Sequence, residues 1–383
     1  MMWEIAKLGD ISKNIQTGPF GSQLHQSDYS ECGIPVVMPK DLVGGKISEE
    51  SIARVDKTHV ERLCRHKIEV GDILYSRRGD VGRCAHVTKK EEGWLCGTGC
   101  LRVTIDSEKA DSRFVFFQLQ HPDTVGWVEK HAVGATMLNL NTTILSSVPI
   151  RLPALEIQKR IADILSAYDD LIENNQKQIK LLEEAVQRLY KEWFVDLRFP
   201  GHENTKIVDG VPEGWSRTNI NEILTFHRGY DLTKNEMKAG RYPVVGSTTV
   251  IGYHNEFKIK GPGIVTGRSG SLGKYQFIWD NFWPHNTSLY ISDYKDHNIF
   301  FVYSLLQTVD FASLNNGGAI PTLNRNVLSN IEVIEPEKKL QDMFAKIAEP
   351  QYQKIKKLEK QNDRLKTARD LLLPKLMSGE VEV

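Results

Sequence analysis

Two stretches of the chain space their apolar residues as a helix does, and the remainder does not. From Leu155 to about Phe194 there is neither glycine nor proline, and apolar side chains recur at Ile157, Ile161, Ile164, Tyr168 and Leu171, then at Leu182, Ala185 and Leu189. The spacing alternates between four and three, which is a heptad seam and predicts a coiled coil. Asn175 and Gln178 fill the seam positions in the middle. The second stretch runs Leu340, Phe344, Ile347, then Leu358, Leu365, Ala368 and Leu372. Pro350 lies inside it and predicts a kink or the loss of its first turns, because proline removes a helical hydrogen bond and crowds the turn before it. A helix of about 40 residues spans about 60 Å.

Elsewhere, short β-branched runs sit between clusters of Gly, Pro, Asn and Asp, which reads as strands and turns. Val36-Val37, Ile73-Leu74 and Leu101 to Ile105 are such runs, and so are Val244-Val245, Ile264-Val265 and Ser288 to Ile291. One helix is expected near Arg113 to Gln120 and another from Ile299 to Leu306.

The chain is written twice. Gly134-Ala135-Thr136-Met137-Leu138-Asn139-Leu140-Asn141 lies over Gly317-Gly318-Ala319-Ile320-Pro321-Thr322-Leu323-Asn324, an offset of 183. That offset holds without a gap through Pro153/Pro336, Gln158/Gln341, Ile164/Ile347, Leu182/Leu365, Ala185/Ala368 and Leu189/Leu372. Upstream the offset grows, as it must where loops differ in length. Gly71-Asp72-Ile73-Leu74 with the following Arg-Gly loop resembles Gly263-Ile264-Val265 and its loop, and Ile34-Pro35-Val36-Val37 resembles Tyr242-Pro243-Val244-Val245. A tandem duplication of one unit follows, a mixed domain and then a long helix. The expected fold is α+β: domain one over residues 1–153, helix one over 154–197, a linker over 198–212, domain two over 213–335, helix two with a tail over 336–383. The two helices are expected to pair as an antiparallel coiled coil, which would send the two domains to opposite ends.

Composition changes this picture little. With 49 basic and 49 acidic residues the chain is no general polycation, so contact with nucleic acid has to come from local patches. No run of about 18 uncharged apolar residues predicts a membrane span, and the start lacks the pattern of a secretion signal. Five cysteines, all within the first hundred residues, read as reduced cytoplasmic thiols. Cys96 and Cys100, with Cys84 and His86, have no C-x-x-C spacing and no counterpart in the second half, so no metal site is expected.

Catalytic motifs are not found. Gly267 to Lys274 imitates a phosphate-binding loop, but its glycine spacing is wrong and Tyr275 follows the lysine. There is no Asn-Pro-Pro-aromatic loop and no dinucleotide fingerprint, and His227, His254 and His285 stand alone. No catalytic residue and no cofactor are therefore assigned. What recurs is glycine-rich basic loop: Arg77, Arg78 and Arg83 beside Gly79 and Gly82, then Arg268, Ser269 and Lys274 beside Gly270 and Gly273. Arginine forks suit guanine or phosphate, and glycine lets backbone amides approach an anion. Asn139, Asn141, Thr322, Asn324 and Arg325 could read base edges or hold the DNA backbone. The blander reading is that the glycines only make turns and the arginines are only solvated.

At this point the chain resembles the specificity subunits of type I restriction-modification systems over almost its whole length. The resemblance is carried by Trp3 to Ile11, Thr17-Gly18-Pro19-Phe20-Gly21-Ser22, Gly71-Asp72-Ile73-Leu74, and Arg268 to Gly273. Leu155 to Ile161, Trp193-Phe194-Val195-Asp196 and Leu372 to Glu380 extend it. It implies a non-catalytic, cytoplasmic subunit that reads a bipartite double-stranded DNA target. It implies two modification (methyltransferase) subunits and two restriction (translocase-nuclease) subunits as partners, with adenine methylation as the outcome. An alternative is a coiled-coil scaffold with two protein-binding domains. The duplication adds one expectation: a fragment ending near Pro200 pairs with its own copy, Asn175 meeting its mate across the axis.

Overall fold

The computed structural model describes residues 3–134, 138–268, 273–309 and 331–383. Each copy is built on one plan. In the first, Glu4–Lys7 pairs antiparallel with Pro149–Leu152, tying the start of the copy to its end. A four-stranded antiparallel sheet follows in the order Ser12–Thr17, Cys100–Ile105, Ile73–Ser76, Cys84–His86. A second sheet sets Ile34–Val37 parallel to Leu95–Cys96. The second copy repeats this with Ser216–Asn219 on Glu332–Glu335, then Thr225–Arg228, Ser288–Asp293, Gly263–Gly267 and Tyr275–Ile278. Its parallel pair is Tyr242–Val245 with Trp283–Pro284.

Alternation explains the central strands. In Cys100–Ile105 the side chains of Leu101, Val103 and Ile105 are buried, while Arg102 and Thr104 are half-buried on the other face. The helix in each copy starts on a side-chain cap. Asp111 accepts from the amides of Arg113 and Phe114 at the head of Ser112–Gln120, and Asn298 accepts from Phe300 at the head of Ile299–Thr308. A further helix, Pro122–His131, was not expected from the sequence, because Gly126 interrupts its short pattern.

The first long helix runs Leu155–Tyr190 and ends in a π-helical turn, Lys191–Val195. The second runs Lys338–Ser378 without a break, so Pro350 does not split off its first turns. Phe344, Ala348, Tyr352 and Ile355 are buried on both sides of the proline, and this packing outweighs the roughly 3 kcal/mol that an interior proline costs. The seam keeps the expected Ile161, Leu340, Phe344 and Leu358, all buried, and departs from the expected one elsewhere. Leu171 and Ile347 are 48% and 45% exposed, and Ile172 and Ala348 are buried in their place. The buried stripe of the first helix passes through Gln158, Ile161, Ala162, Leu165, Ile172 and Asn175, about one residue round from the heptad read off the sequence.

Two compact units result, the first made of two separate segments and the second of one continuous segment. One comprises Met1–Asn174 with Gln361–Val383, the other Asn175–Lys360. In the first unit Ile161 and Leu165, early in helix one, share a core with Leu376 and Met377, late in helix two. In the second unit Val186 and Tyr190, late in helix one, share a core with Phe344 and Tyr352, early in helix two. The helices therefore pair antiparallel. A matching detail tethers each start to the strand before it: Gln158 donates to the carbonyl of Pro153 at 2.9 Å, and Gln341 to that of Pro336 at 2.8 Å.

The first unit also carries a pH dependence. Burial pushes the imidazoles of His66 and His86 down to about 4 from an ordinary value of 6.5. A depressed histidine adds stability above 6.5 that is lost as pH falls towards 4, because the unfolded chain takes up the proton first. The expected slope approaches about 1.4 kcal/mol per pH unit for each histidine. Pulse proteolysis of the chain between pH 7 and 5 should show a steep loss for the first unit, flattened in a variant carrying His66→Gln and His86→Gln. An unchanged slope in that variant would remove these two groups from the account.

Candidate nucleic-acid interface

The glycine-basic loop of each copy is a hairpin tip, and the same backbone contacts brace it in both. Ile73–Ser76 turns back into Cys84–His86, and Gly263–Gly267 turns back into Tyr275–Ile278. At the first residue beyond the strand, the amide of Arg77 donates to Gly99 at 2.8 Å and that of Arg268 to Thr287 at 3.1 Å. Gly18 donates to Cys100 and Gly229 to Ser288, each at 3.0 Å. No side chain fits at either glycine: a Cβ would stand 1.9 Å from the carbonyl oxygen of Gly97 at residue 18, and 2.0 Å from that of His285 at residue 229. Each copy thus forms one corner where a basic loop, a glycine-tight strand end and a three-residue segment (Gly97–Gly99 or His285–Thr287) converge.

The candidate residues divide within the first corner. Arg77 is half-buried, and its carbonyl accepts from Leu140 at 2.8 Å. Among the described residues its Nε is enclosed without a hydrogen-bond partner, as is the Oδ1 of Asn139. Arg78 is exposed and bridges to Asn139, which in turn exchanges backbone hydrogen bonds with Val133. Gly79, at φ 77°, makes the turn that a side-chain-bearing residue rarely adopts. Arg83 is exposed, and its Nε donates to Asp80 at 2.6 Å, so part of its fork is committed. Asn141 uses its side-chain oxygen to cap Thr142–Ser146 through the amide of Ile144, at 2.8 Å. Arg77, Arg78 and Asn139 are brought together; Arg83 stands across the hairpin, and Asn141 faces the short helix.

In the second corner Arg268 is half-buried and Lys274 exposed. The carbonyl of Lys274 accepts from Thr266 at 3.0 Å, closing the base of the loop. Ser269, Thr322, Asn324 and Arg325 lie outside the described residues. His285, which stood alone in the sequence, is fixed here by Thr287 Oγ1 at 3.0 Å and the carbonyl of Leu232 at 3.2 Å. The roles of Gly18, Gly229 and the two convergent segments were missed. Their signal was the repetition of a glycine after a strand in both halves.

Among the described residues no three His, Cys, Asp or Glu side chains are grouped to hold a metal. Burial pushes the thiols of Cys84 and Cys96 up to about 12, which keeps them protonated and unreactive. Beneath the loop, burial likewise raises the Tyr75 phenol, whose oxygen has no hydrogen-bond partner among the described residues.

Comparison with known proteins gives a consistent result. The model of the type I restriction modification DNA specificity domain matches twice, over residues 2–184 and 212–367. The MjaIX specificity subunit of a type I restriction enzyme from Methanocaldococcus jannaschii is 26% identical over 415 residues, covering 100% of this chain and 94% of the relative. The HindI specificity subunit from Haemophilus influenzae is 23% identical, covering 99% of both chains. Among solved structures, an S subunit of a type I restriction-modification system from M. genitalium shares the fold. It has a TM-score of 0.66 and 19% identity, over 98% of this chain and 96% of that one.

Proposed function

We propose that this chain, which belongs to the family of type I restriction modification DNA specificity domains, reads DNA through the two glycine-basic corners. As a specificity subunit with two target-recognition domains it reads a bipartite target, and each corner is assigned to one half-site. The observation that carries this assignment is the corner's recurrence, with equivalent backbone braces at Arg77 and Arg268. A turn serving only its own copy has no need to keep a basic residue at the same braced position twice.

Arg77 and Arg268, half-buried and held by their backbones, are the residues suited to a base edge. Arg78, Arg83 and Lys274, exposed, suit phosphates. Asn139 bridges to Arg78 in the same corner, with its side-chain oxygen enclosed, while Asn141, its oxygen used as a cap, has only its amide nitrogen to offer. Ser269, Thr322, Asn324 and Arg325 keep the role that the sequence suggests. The subunit is non-catalytic and cytoplasmic, and it holds two modification and two restriction subunits that supply methyl transfer, translocation and cleavage.

In the assembled methyltransferase, Arg77→Ala and Arg268→Ala are each expected to weaken DNA binding by about 1–3 kcal/mol and to relax one base of one half-site. Arg83→Ala should weaken all sequences alike and lower the salt slope by about one. Titrations over a salt series separate the two kinds of contact. Unchanged affinity in both Arg77→Ala and Arg268→Ala would remove the corners from the interface. The chain by itself, given S-adenosylmethionine and target DNA, should transfer no methyl group.

A further inference from the structure

An offset of 183 lays the seam of the first helix on that of the second. Gln158 and Gln341, Ile161 and Phe344, Ala162 and Ala345, Leu165 and Ala348, Ile172 and Ile355 are buried on both helices. At four positions the chemistry differs. Asp169 stands where the second helix has Tyr352, and Arg369 where the first has Val186. Asn175 corresponds to Leu358, and Asn362 to Ile179.

The two odd charges meet. In the first unit Asp169 and Arg369 form an ion pair, their side chains 22% and 26% exposed, and Arg369 also holds Asp370 at 2.9 Å. The equivalent positions in the second unit are apolar: Val186 and Tyr352 are 2% and 6% exposed within one core. We infer that the Asp169–Arg369 pair makes the first helix select the second helix of its own chain and refuse the first helix of another copy.

The register gives the reason. Two first helices pairing antiparallel in the same way would set Asp169 of each copy opposite Val186 of the other, since 369 − 183 = 186. Each carboxylate would lie against an isopropyl group and would lose the arginine that neutralises it in the native pair, while staying largely shielded from water. The axis of such a pair falls midway between residues 169 and 186, between Lys177 and Gln178. Asn175 would then face Lys180 of the other copy and not its own mate. The self-pairing expected for a half-length fragment is therefore disfavoured by the seam of the first helix itself.

Val186→Arg in the full chain supplies the missing cation. It makes the first helix self-complementary to Asp169 of a second copy, twice by symmetry, and places a charge against Tyr352 within the chain. Light scattering at tens of micromolar should give the 43.5 kDa mass for the wild-type chain and twice that mass for V186R. V186R combined with Asp169→Val should return to a single chain. The exchanged pair, Asp169→Arg with Arg369→Asp, should keep the wild-type thermal midpoint and mass, while either single change lowers the midpoint. A dimeric wild type, a monomeric V186R, association of V186R regardless of Asp169, or single changes without effect would each overturn the inference.

Discussion

Phe344→Ala is expected to cost the second recognition domain about 3–5 kcal/mol, the range for removing a fully buried aromatic side chain. Phe344 is completely buried, with the rings of Tyr190 at 5.6 Å, Trp193 at 6.3 Å and Phe194 at 5.5 Å. Phe194 in turn packs edge-on against Phe301, of the helix Ile299–Thr308, at 5.3 Å. One ring thus ties the end of the first long helix and the start of the second to the body of the domain. Each aromatic contact adds about 0.5–1.5 kcal/mol beyond the area it buries. The first copy has Ile161 at the equivalent position, an aliphatic side chain that makes no ring pair of its own, so the corresponding truncation should cost less. Urea unfolding followed by the fluorescence of Trp193 and Trp215 measures the effect. A loss below about 1 kcal/mol would mean that the cluster collapses onto the gap and is not what holds the domain to the helices.

How much of this was legible beforehand follows from which forces act locally. The duplication, the two long helices and the strand runs were visible, because periodicity and turn residues are written within short windows. The basic loops were visible because they recur. The seam was legible only in part: Ile161, Leu340, Phe344 and Leu358 are buried as expected, but a stripe through Leu165 and Ile172 and one through Ile164, Tyr168 and Leu171 are both apolar in the sequence. Only the partner helix decides between them. Pro350 misled for a similar reason: its local cost is read from the sequence, while the compensating burial of Phe344, Ala348 and Tyr352 is tertiary. The tight approach of Gly18 to Gly97, and of Gly229 to His285, joins residues far apart in the chain, and no spacing rule marks it. Asp169 and Arg369 are separated by 200 residues, and in the sequence each is one charge among many.

Arg102→Leu should destabilise the first recognition domain by about 3–5 kcal/mol at neutral pH, as expected when one member of a buried charge pair is removed. Asp72 is 1% exposed. Its carboxylate accepts from Thr104 Oγ1 at 2.5 Å and from the amide of Glu69 at 2.9 Å, and Arg102 Nε lies 3.8 Å away. Arg102 also donates to the carbonyl of Lys67, so it cannot be replaced by a mobile lysine without loss. Burial already pushes the Asp72 carboxyl above the usual carboxylate range, with Thr104, the Glu69 amide and Arg102 pulling it back down. Without Arg102 it rises further. A carboxyl raised in the folded state favours the protonated form, so its contribution is present below the unfolded value near 3.9 and is lost as pH rises through the folded one. The penalty of Arg102→Leu should therefore shrink on acidification, and adding Asp72→Asn should remove most of that dependence. The second copy has Gly263 at this place, with the ring of Phe282 standing 2.6 Å from where a Cβ would be, so its hairpin does not depend on a charge pair. Since Asp72 immediately precedes the strand Ile73–Ser76 that leads into Arg77, the defect should fall on the half-site read by the first domain and spare the other. Urea unfolding of the three variants at pH 7 and 5 decides the matter. A penalty independent of pH, or one that Asp72→Asn leaves untouched, would mean that lost packing of the arginine stem is the cause and not an uncompensated carboxylate.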